Sequence, residues 1–194
     1  MGQILSFFMK LFPIRKEKQQ KILLLGLDGA GKTTLLYWAR LRTAIVTIPT
    51  VGMNVEELKL SKIGITFLAW DIGGQEKLRK MWSRFFEDAK GLIFVVDSAD
   101  LGRLDAAKSE LQNVLNESSL DGIPFIVLAN KQDLQGAITA EDLERRFSLP
   151  EFQQNGSHKG IVKPTVATTG SGVMEALESF GVLVKQYVKD GKRR

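Results

Sequence analysis

The chain has no cysteine, a single histidine, and no apolar run approaching the roughly 20 residues that a membrane-crossing helix needs. The missing thiol excludes disulfide frameworks, cysteine-ligated zinc, iron–sulfur clusters, thiol catalysis, S-palmitoylation and a prenylated C-terminus. A reducing, cytoplasmic setting is expected. The longest apolar stretches, Ile22–Leu27 and Gly91–Val96, are strand-sized, so the expectation is a soluble or peripheral protein. His158 stands in the loop-like stretch Pro150–Gly160 and is expected to be exposed and without chemistry. The 194 residues suit one domain with tails, enough to bury a core, and they show no internal repeat.

Positive charge sits at the two ends rather than in the body. The net charge is +5, yet residues 10–21 alone carry +4 and residues 185–194 another +4, which leaves −3 for everything else. A nucleic-acid-binding face is normally built into the body of a domain, so this distribution argues against a nucleic-acid partner and for attraction to a membrane surface at one end.

The apolar pattern alternates between strand-like and helix-like segments. Lys21–Leu27 reads as a buried strand, followed by a glycine-rich turn and a helix over Thr33–Leu41. Val55–Leu60 and Ile65–Trp70 flank a turn at Ser61–Gly64 and predict a hairpin, hence one antiparallel strand on an otherwise parallel sheet. Strands are then expected at Leu92–Asp97, Phe125–Asn130 and Ile161–Ala167, with helices at Leu104–Leu115, Ala140–Phe147 and Val173–Lys189. The sum is a three-layer α/β domain over residues 18–190, preceded by an N-terminal segment (1–17) and followed by a basic tail (191–194).

Gly26-Leu27-Asp28-Gly29-Ala30-Gly31-Lys32-Thr33 matches the phosphate-loop pattern G-x-x-x-x-G-K-[ST] at every fixed position, with a strand before it and a helix after it. Glycines let successive N–H groups curl around a phosphate, and Thr34 continues the run into the helix N-terminus. Lys32 reaches the outer phosphate oxygens, and the Thr33 hydroxyl is placed to ligate Mg²⁺. Asn130-Lys131-Gln132-Asp133 selects the base. The Asp133 carboxylate accepts from two adjacent guanine N–H groups, whereas adenine would present it a ring acceptor. The Lys131 stem lies over the base, and Asn130 ties this loop to the phosphate loop. In Asp71-Ile72-Gly73-Gly74-Gln75 a strand-end carboxylate holds a metal through water, Gly73 leaves its N–H free for a γ-phosphate, and Gln75 orients an attacking water. Thr50, between Pro49 and Gly52, can swing its hydroxyl to the same metal.

Over nearly its whole length the chain resembles the Arf and Arf-like small GTPases, a branch of the Ras superfamily. The resemblance rests on the phosphate loop, Ile48–Glu56 (IPTVGMNVE), Trp70–Gln75 (WDIGGQ), Leu92–Ser98 (LIFVVDS) and Leu128–Leu134 (LANKQDL). It implies a six-stranded P-loop G domain, GTP and GDP as ligands with Mg²⁺, and a slow hydrolytic switch working as a monomer with an exchange factor, an activating protein and effectors. It places Thr50 in switch I, Gly73–Phe86 in switch II, and the Val166–Thr168 loop at the base, where the Ala167 amide meets guanine O6. The family commonly has Cys at the position of Val166 and often Ala at that of Gly29. Met53, Trp70 and Phe85 match an effector-contacting triad in which Met53 replaces the usual Phe.

At the N-terminus, Met1–Ser6 fits the myristoylation pattern M-G-x-x-x-[ST] with Gly2 as acceptor, and Ile4, Leu5, Phe8, Leu11 and Phe12 recur at helical spacing before Pro13. The resemblance implies that this helix is sequestered in the GDP form and released as the Val55–Trp70 hairpin slides on GTP binding. The leading expectation is a switch that recruits effectors to membranes in trafficking; a GTP-binding scaffold that hardly hydrolyses is the alternative.

Overall fold

The computed structural model describes residues 19–150 and 158–191, except 44, 46, 49 and 51. Gly2 and the helical spacing expected over Ile4–Phe12 therefore lie outside the described residues. Six strands form one sheet in the order β2-β3-β1-β4-β5-β6: β1 (Gln20–Leu25), β2 (Met53–Leu60), β3 (Ile65–Ile72), β4 (Gly91–Asp97), β5 (Phe125–Asn130) and β6 (Gly160–Pro164). All neighbours are parallel except β2 and β3, which pair antiparallel from Met53 opposite Ile72 to Leu60 opposite Ile65. The helices are α1 (Lys32–Leu41), α2 (Glu76–Arg79), α3 (Leu104–Leu115), α4 (Ala140–Arg146) and α5 (Val173–Gly191).

The strand period of two divides the apolar residues between two cores. Leu23, Leu25, Phe94, Val96, Phe125 and Val127 point to one face, where they meet Trp82, Leu111 and Phe147. Ile22, Leu24, Ile93, Val95, Ile126 and Leu128 point to the other, where they meet Leu35 of α1 and Leu177 and Phe180 of α5. The long helices bury matching stripes: Leu104, Ala107, Leu111, Val114 and Leu115 in α3, and Val173, Ala176, Leu177, Phe180 and Val184 in α5. Phe67 meets Phe180 edge-on with ring centroids 5.7 Å apart, joining β3 to α5.

Two expectations need correction. The strand expected to run to Ala167 ends at Pro164, because the chain turns there: the Val166 N–H pairs with Ser171 O at 3.0 Å instead of with β5. His158 is not an exposed loop residue. It is 4% exposed, with Nδ1 3.0 Å from Ile123 O, Nε2 2.9 Å from Leu115 O, and its ring edge-on to Phe125. A side chain that fastens the approach to β6 onto the end of α3 is structural, and nothing in its local sequence announces it. His158→Phe keeps a ring of similar size but offers these carbonyls no donor. It should lower unfolding free energy by about 1–3 kcal/mol; an unchanged urea midpoint would contradict this role.

Candidate functional site

The parallel strands β1, β3, β4 and β5 all end at one edge of the sheet, and each end delivers a loop to the same crevice. After β1 the chain turns tightly to begin α1. Gly26 has φ +139, and a Cβ there would stand 2.2 Å from Val95 O, so only glycine lets the loop leave the sheet beside β4. Gly31, the residue before α1, has φ +93 and would place a Cβ 2.4 Å from Asn130 Nδ2. The loop thus approaches the end of β5 as closely as backbone allows.

Two adjoining cavities line this crevice. Asp28, Gly29, Gly31, Lys32, Thr33, Thr34, Thr50, Gly74 and Gln75 line the first, with Thr47 and Ile48. Gly29, Gly31, Thr34, Asn130, Lys131, Asp133, Ala167 and Thr168 line the second, with Leu134. The shared residues Gly29, Gly31 and Thr34 make them one continuous cleft, with a phosphate-loop end and a base-loop end. Three of the expected contact residues stand behind the lining. Ala30 is buried and its carbonyl accepts from Asn130 Nδ2 at 2.8 Å. The Val166 carbonyl accepts from Gly170 N at 2.7 Å. The Gly73 N–H is not free for a phosphate as expected: it donates to Gly52 O at 2.9 Å, which leaves Gly74 as the glycine at the cleft wall.

The polar groups at the phosphate-loop end converge. Asp71 is completely buried. Its Oδ2 accepts from Thr33 Oγ1 at 2.6 Å and from Thr50 Oγ1 at 3.3 Å, and the two hydroxyls are 2.8 Å apart. Its Oδ1 is buried without a hydrogen-bond partner among the described residues. Burial pushes the Asp71 carboxyl above the usual range, against the Thr33 hydrogen bond, the Lys32 charge and the Thr50 hydrogen bond. Two hydroxyls and one carboxylate, whose second oxygen is orphaned, form a hard, all-oxygen donor set, which fits Mg²⁺. Lys32 folds back onto the loop, donating to Gly26 O and Leu27 O at 2.9 Å each. Gln75 is exposed at the mouth.

At the base-loop end Asn130 is 1% exposed, and its Oδ1 accepts from Ala167 N at 3.0 Å and Thr165 Oγ1 at 3.2 Å. The Ala167 amide expected at a base is therefore engaged by Asn130 here. Lys131, at φ +65, lines the cleft and ion-pairs with Asp97 at 2.6 Å. Asp133 is exposed at the rim.

Several supporting residues escaped the sequence reading. Asp97 repeats the pattern of Asp71, a carboxylate at a strand's C-terminal edge, and that pattern could have found it. Asp28 is held from two sides, by Arg103 from the start of α3 at 3.2 Å and by Arg79 at 3.5 Å. Arg79 also donates to Gly74 O at 2.8 Å and pairs with Glu110. No local pattern marks these arginines. Met53 is 47% exposed at the end of β2, while Trp70 and Phe85 are half-buried with ring centroids 6.2 Å apart. Lys21 lies 4.4 Å over the Trp70 ring.

A glycine phosphate loop joined through Asn130 to an N-K-x-D base loop, on a sheet with one antiparallel edge strand, defines the small-GTPase class. The chain belongs to the ADP-ribosylation factor family, whose description matches residues 4–184. It is 40% identical over 173 residues to ADP-ribosylation factor-like protein 14 of Mus musculus, an alignment covering 89% of this chain and 88% of that protein. It is also similar to the Arl6 BBS3 small GTPase from Trypanosoma brucei, solved with the nucleotide analogue GppNp bound. The TM-score is 0.77 at 31% identity, over 88% of this chain and 99% of that one. The protein is accordingly a GTP-binding switch that hydrolyses GTP.

The buried ammonium generates a prediction for the nucleotide-free protein. Burial pulls Lys32 from its ordinary 10.5 down to about 8, against the raising influence of Asp71 and then Asp28. Between those values the unfolded chain binds the proton and the folded one does not, so this group's contribution to stability rises with pH across the window. The cost of burying the charge is complete below about 8. Lys32→Met removes the term, so its stability relative to the native sequence should be most favourable near neutral pH and lose ground as pH approaches 10.5. Denaturation midpoints measured at several pH values check this; a pH-independent difference would refute it.

Proposed function

We propose that the chain couples GTP binding and hydrolysis in this cleft to effector recruitment on a membrane, and that it works there as a monomer. The observation that carries the reading is the Thr33–Thr50–Asp71 cluster. It draws a residue from the segment before β2 onto the phosphate loop, so whatever occupies the cleft acts on the β2–β3 hairpin.

The residues divide the work. Lys32, the N–H groups of residues 28–34 and the N-terminus of α1 bind the phosphates. The hydroxyls of Thr33 and Thr50 would hold Mg²⁺ directly and Asp71 through water, and the ion supplies positive charge against the phosphate oxygens. Gly74 presents backbone to the γ-phosphate. Gln75 orients a water whose oxygen bonds to the γ-phosphorus as the bond to the GDP oxygen breaks. Thr47, 3.0 Å from Thr34, stands in the cleft lining without a cation of its own, so a partner's arginine meets the transition-state charge, a contribution of about 10³–10⁵ in rate. Asp133 accepts from the guanine edge, Lys131 covers the ring, and the Ala167 N–H passes from Asn130 to guanine O6, with Val166 and Thr168 shaping that loop.

Nucleotide state leaves the cleft through the backbone. The Gly73 N–H bond to Gly52 O joins the two nucleotide-sensing segments, and Trp82 Nε1 fixes Gly73 O at 3.0 Å. Met53, Trp70 and Phe85 sit beside this junction, which supports an effector-reading role; the buried Trp70 indole N–H is itself without a partner among the described residues. The N-terminal apolar residues, with an acyl chain on Gly2, provide the membrane contact. A single acyl chain holds a membrane only marginally, so the apolar residues and the adjacent basic cluster supply the second signal.

Three experiments test the reading. In a competition assay Asp133→Asn should move preference from guanine toward xanthine nucleotides by roughly 10²-fold, because the amide donates where guanine also donates. Gln75→Leu should keep nucleotide affinity while hydrolysis falls about 10²-fold. Retained guanine preference in the first, or undiminished turnover in the second, would remove those roles. N-myristoylated protein should bind anionic liposomes more tightly with a non-hydrolysable GTP analogue than with GDP. Leu5→Ala with Phe8→Ala should weaken that difference, and salt should reduce binding through Lys10, Arg15, Lys16 and Lys18 without abolishing it. Equal partitioning in both nucleotide states would overturn the coupling.

A further inference from the structure

Trp38 stands one helical turn beyond Thr34 on the same face of α1, so the helix that carries the phosphate residues also carries an indole to the turn after β6. Its ring lies directly on Gly170. A Cβ built at Gly170 would stand 1.8 Å from both Cε2 and Cζ2 of the indole, so the aromatic surface occupies the space a side chain would need. Gly170 closes the turn that presents Ala167 and Thr168 to the cleft: its N–H donates to Val166 O at 2.7 Å, and Val166 pairs with Ser171. The Arg42 guanidinium lies 5.7 Å from the indole centroid, and the indole packs against the core shared by α1 and α5.

We propose that Trp38 is a positioning residue for guanine recognition, its indole serving as the platform that sets the height of the Val166–Ser171 turn over the base. The inference rests on the guanine-binding reading above. Ala167 contributes only a backbone N–H, which cannot be re-aimed by a side-chain rotation; its distance from the base is fixed by whatever supports the turn. Asn130 supports it from the β5 side and Trp38 from the α1 side. One helix therefore carries the phosphate contacts at its start and, one turn later, the indole that supports the turn bearing Ala167.

The test uses the full chain loaded with GDP and the variants Trp38→Ala, Trp38→Leu and Trp38→Phe. GDP dissociation should accelerate about fivefold or more in Trp38→Ala and Trp38→Leu, the loss of one well-aligned hydrogen bond, and stay near native in Trp38→Phe, which keeps an aromatic surface on Gly170. Amide hydrogen exchange should rise in residues 165–171 and not in the phosphate loop. The preference for GDP over inosine diphosphate, set by Asp133, and the fold-acceleration of release by EDTA, set at the metal end, should not change. Should Trp38→Ala fail to fold, the Leu and Phe pair carries the comparison. Lower thermal stability with native GDP release and native exchange over 165–171 would reduce Trp38 to a core residue, as would a Leu variant that behaves like Phe. A native protein that does not retain GDP would bring down the guanine reading and this inference together. Native retention with variants releasing at the native rate would overturn this inference alone.

Discussion

One buried amide holds three loops in register. Asn130 donates to Ala30 O and accepts from Ala167 N and Thr165 Oγ1, so the phosphate loop after β1, the base loop after β5 and the turn after β6 share one side chain. All three loops lie beyond the strand ends, where no strand ladder joins them to one another. At 1% exposure the amide has no water to exchange with, and leaving any of these partners unmet would cost the desolvation of a buried polar group. The cleft's length, from Lys32 to Asp133, is therefore a property of this junction more than of either loop alone.

The opposite end of the cleft is electrostatically unfinished. Lys32 and Asp71 are both buried, and burial shifts each toward its neutral form. Lys32 spends its donors on carbonyls of its own loop, and Asp71 leaves one oxygen unmatched. An anion beside Lys32 and a cation beside Asp71 would resolve both strains together, which gives a physical reason for a nucleotide and a divalent ion to bind as a pair. Asp28 shows the opposite strategy. It is half-exposed and already balanced by Arg79 and Arg103, so its negative charge at the cleft mouth is compensated from outside.

The sequence made the periodic elements legible. The α3 span Leu104–Leu115 and the β5 span Phe125–Asn130 were both expected as observed, because apolar spacing marks a buried stripe in one and a fully buried strand in the other. The phosphate loop and the N-K-Q-D loop were legible for a different reason: their chemistry is local, carried by neighbouring residues. What stayed hidden is long-range. Arg103 and Asp28 are 75 residues apart, and the burial of His158 depends on carbonyls 35 and 43 residues away. The Gly73 N–H, expected free because glycine has no side chain in the way, and the Ala167 N–H, placed at the base by the family resemblance, are both held by partners that local sequence does not reveal. The end of β6 was overrun because Pro164 terminates a pattern that still looks apolar through Val166 and Ala167.

The three tryptophans fall at three different mechanical stations of the molecule. Trp38 lies against the turn after β6, Trp70 forms the half-buried aromatic pair with Phe85, and Trp82, 2% exposed, grips the carbonyl of Gly73. Their indoles also sit in unlike surroundings: beneath a guanidinium, beneath an ammonium, and edge-on to Phe94. The chain thus carries its own set of optical gauges. Retaining one tryptophan at a time would let emission wavelength and lifetime follow the base end, the outer surface and the junction between them separately, with no added dye.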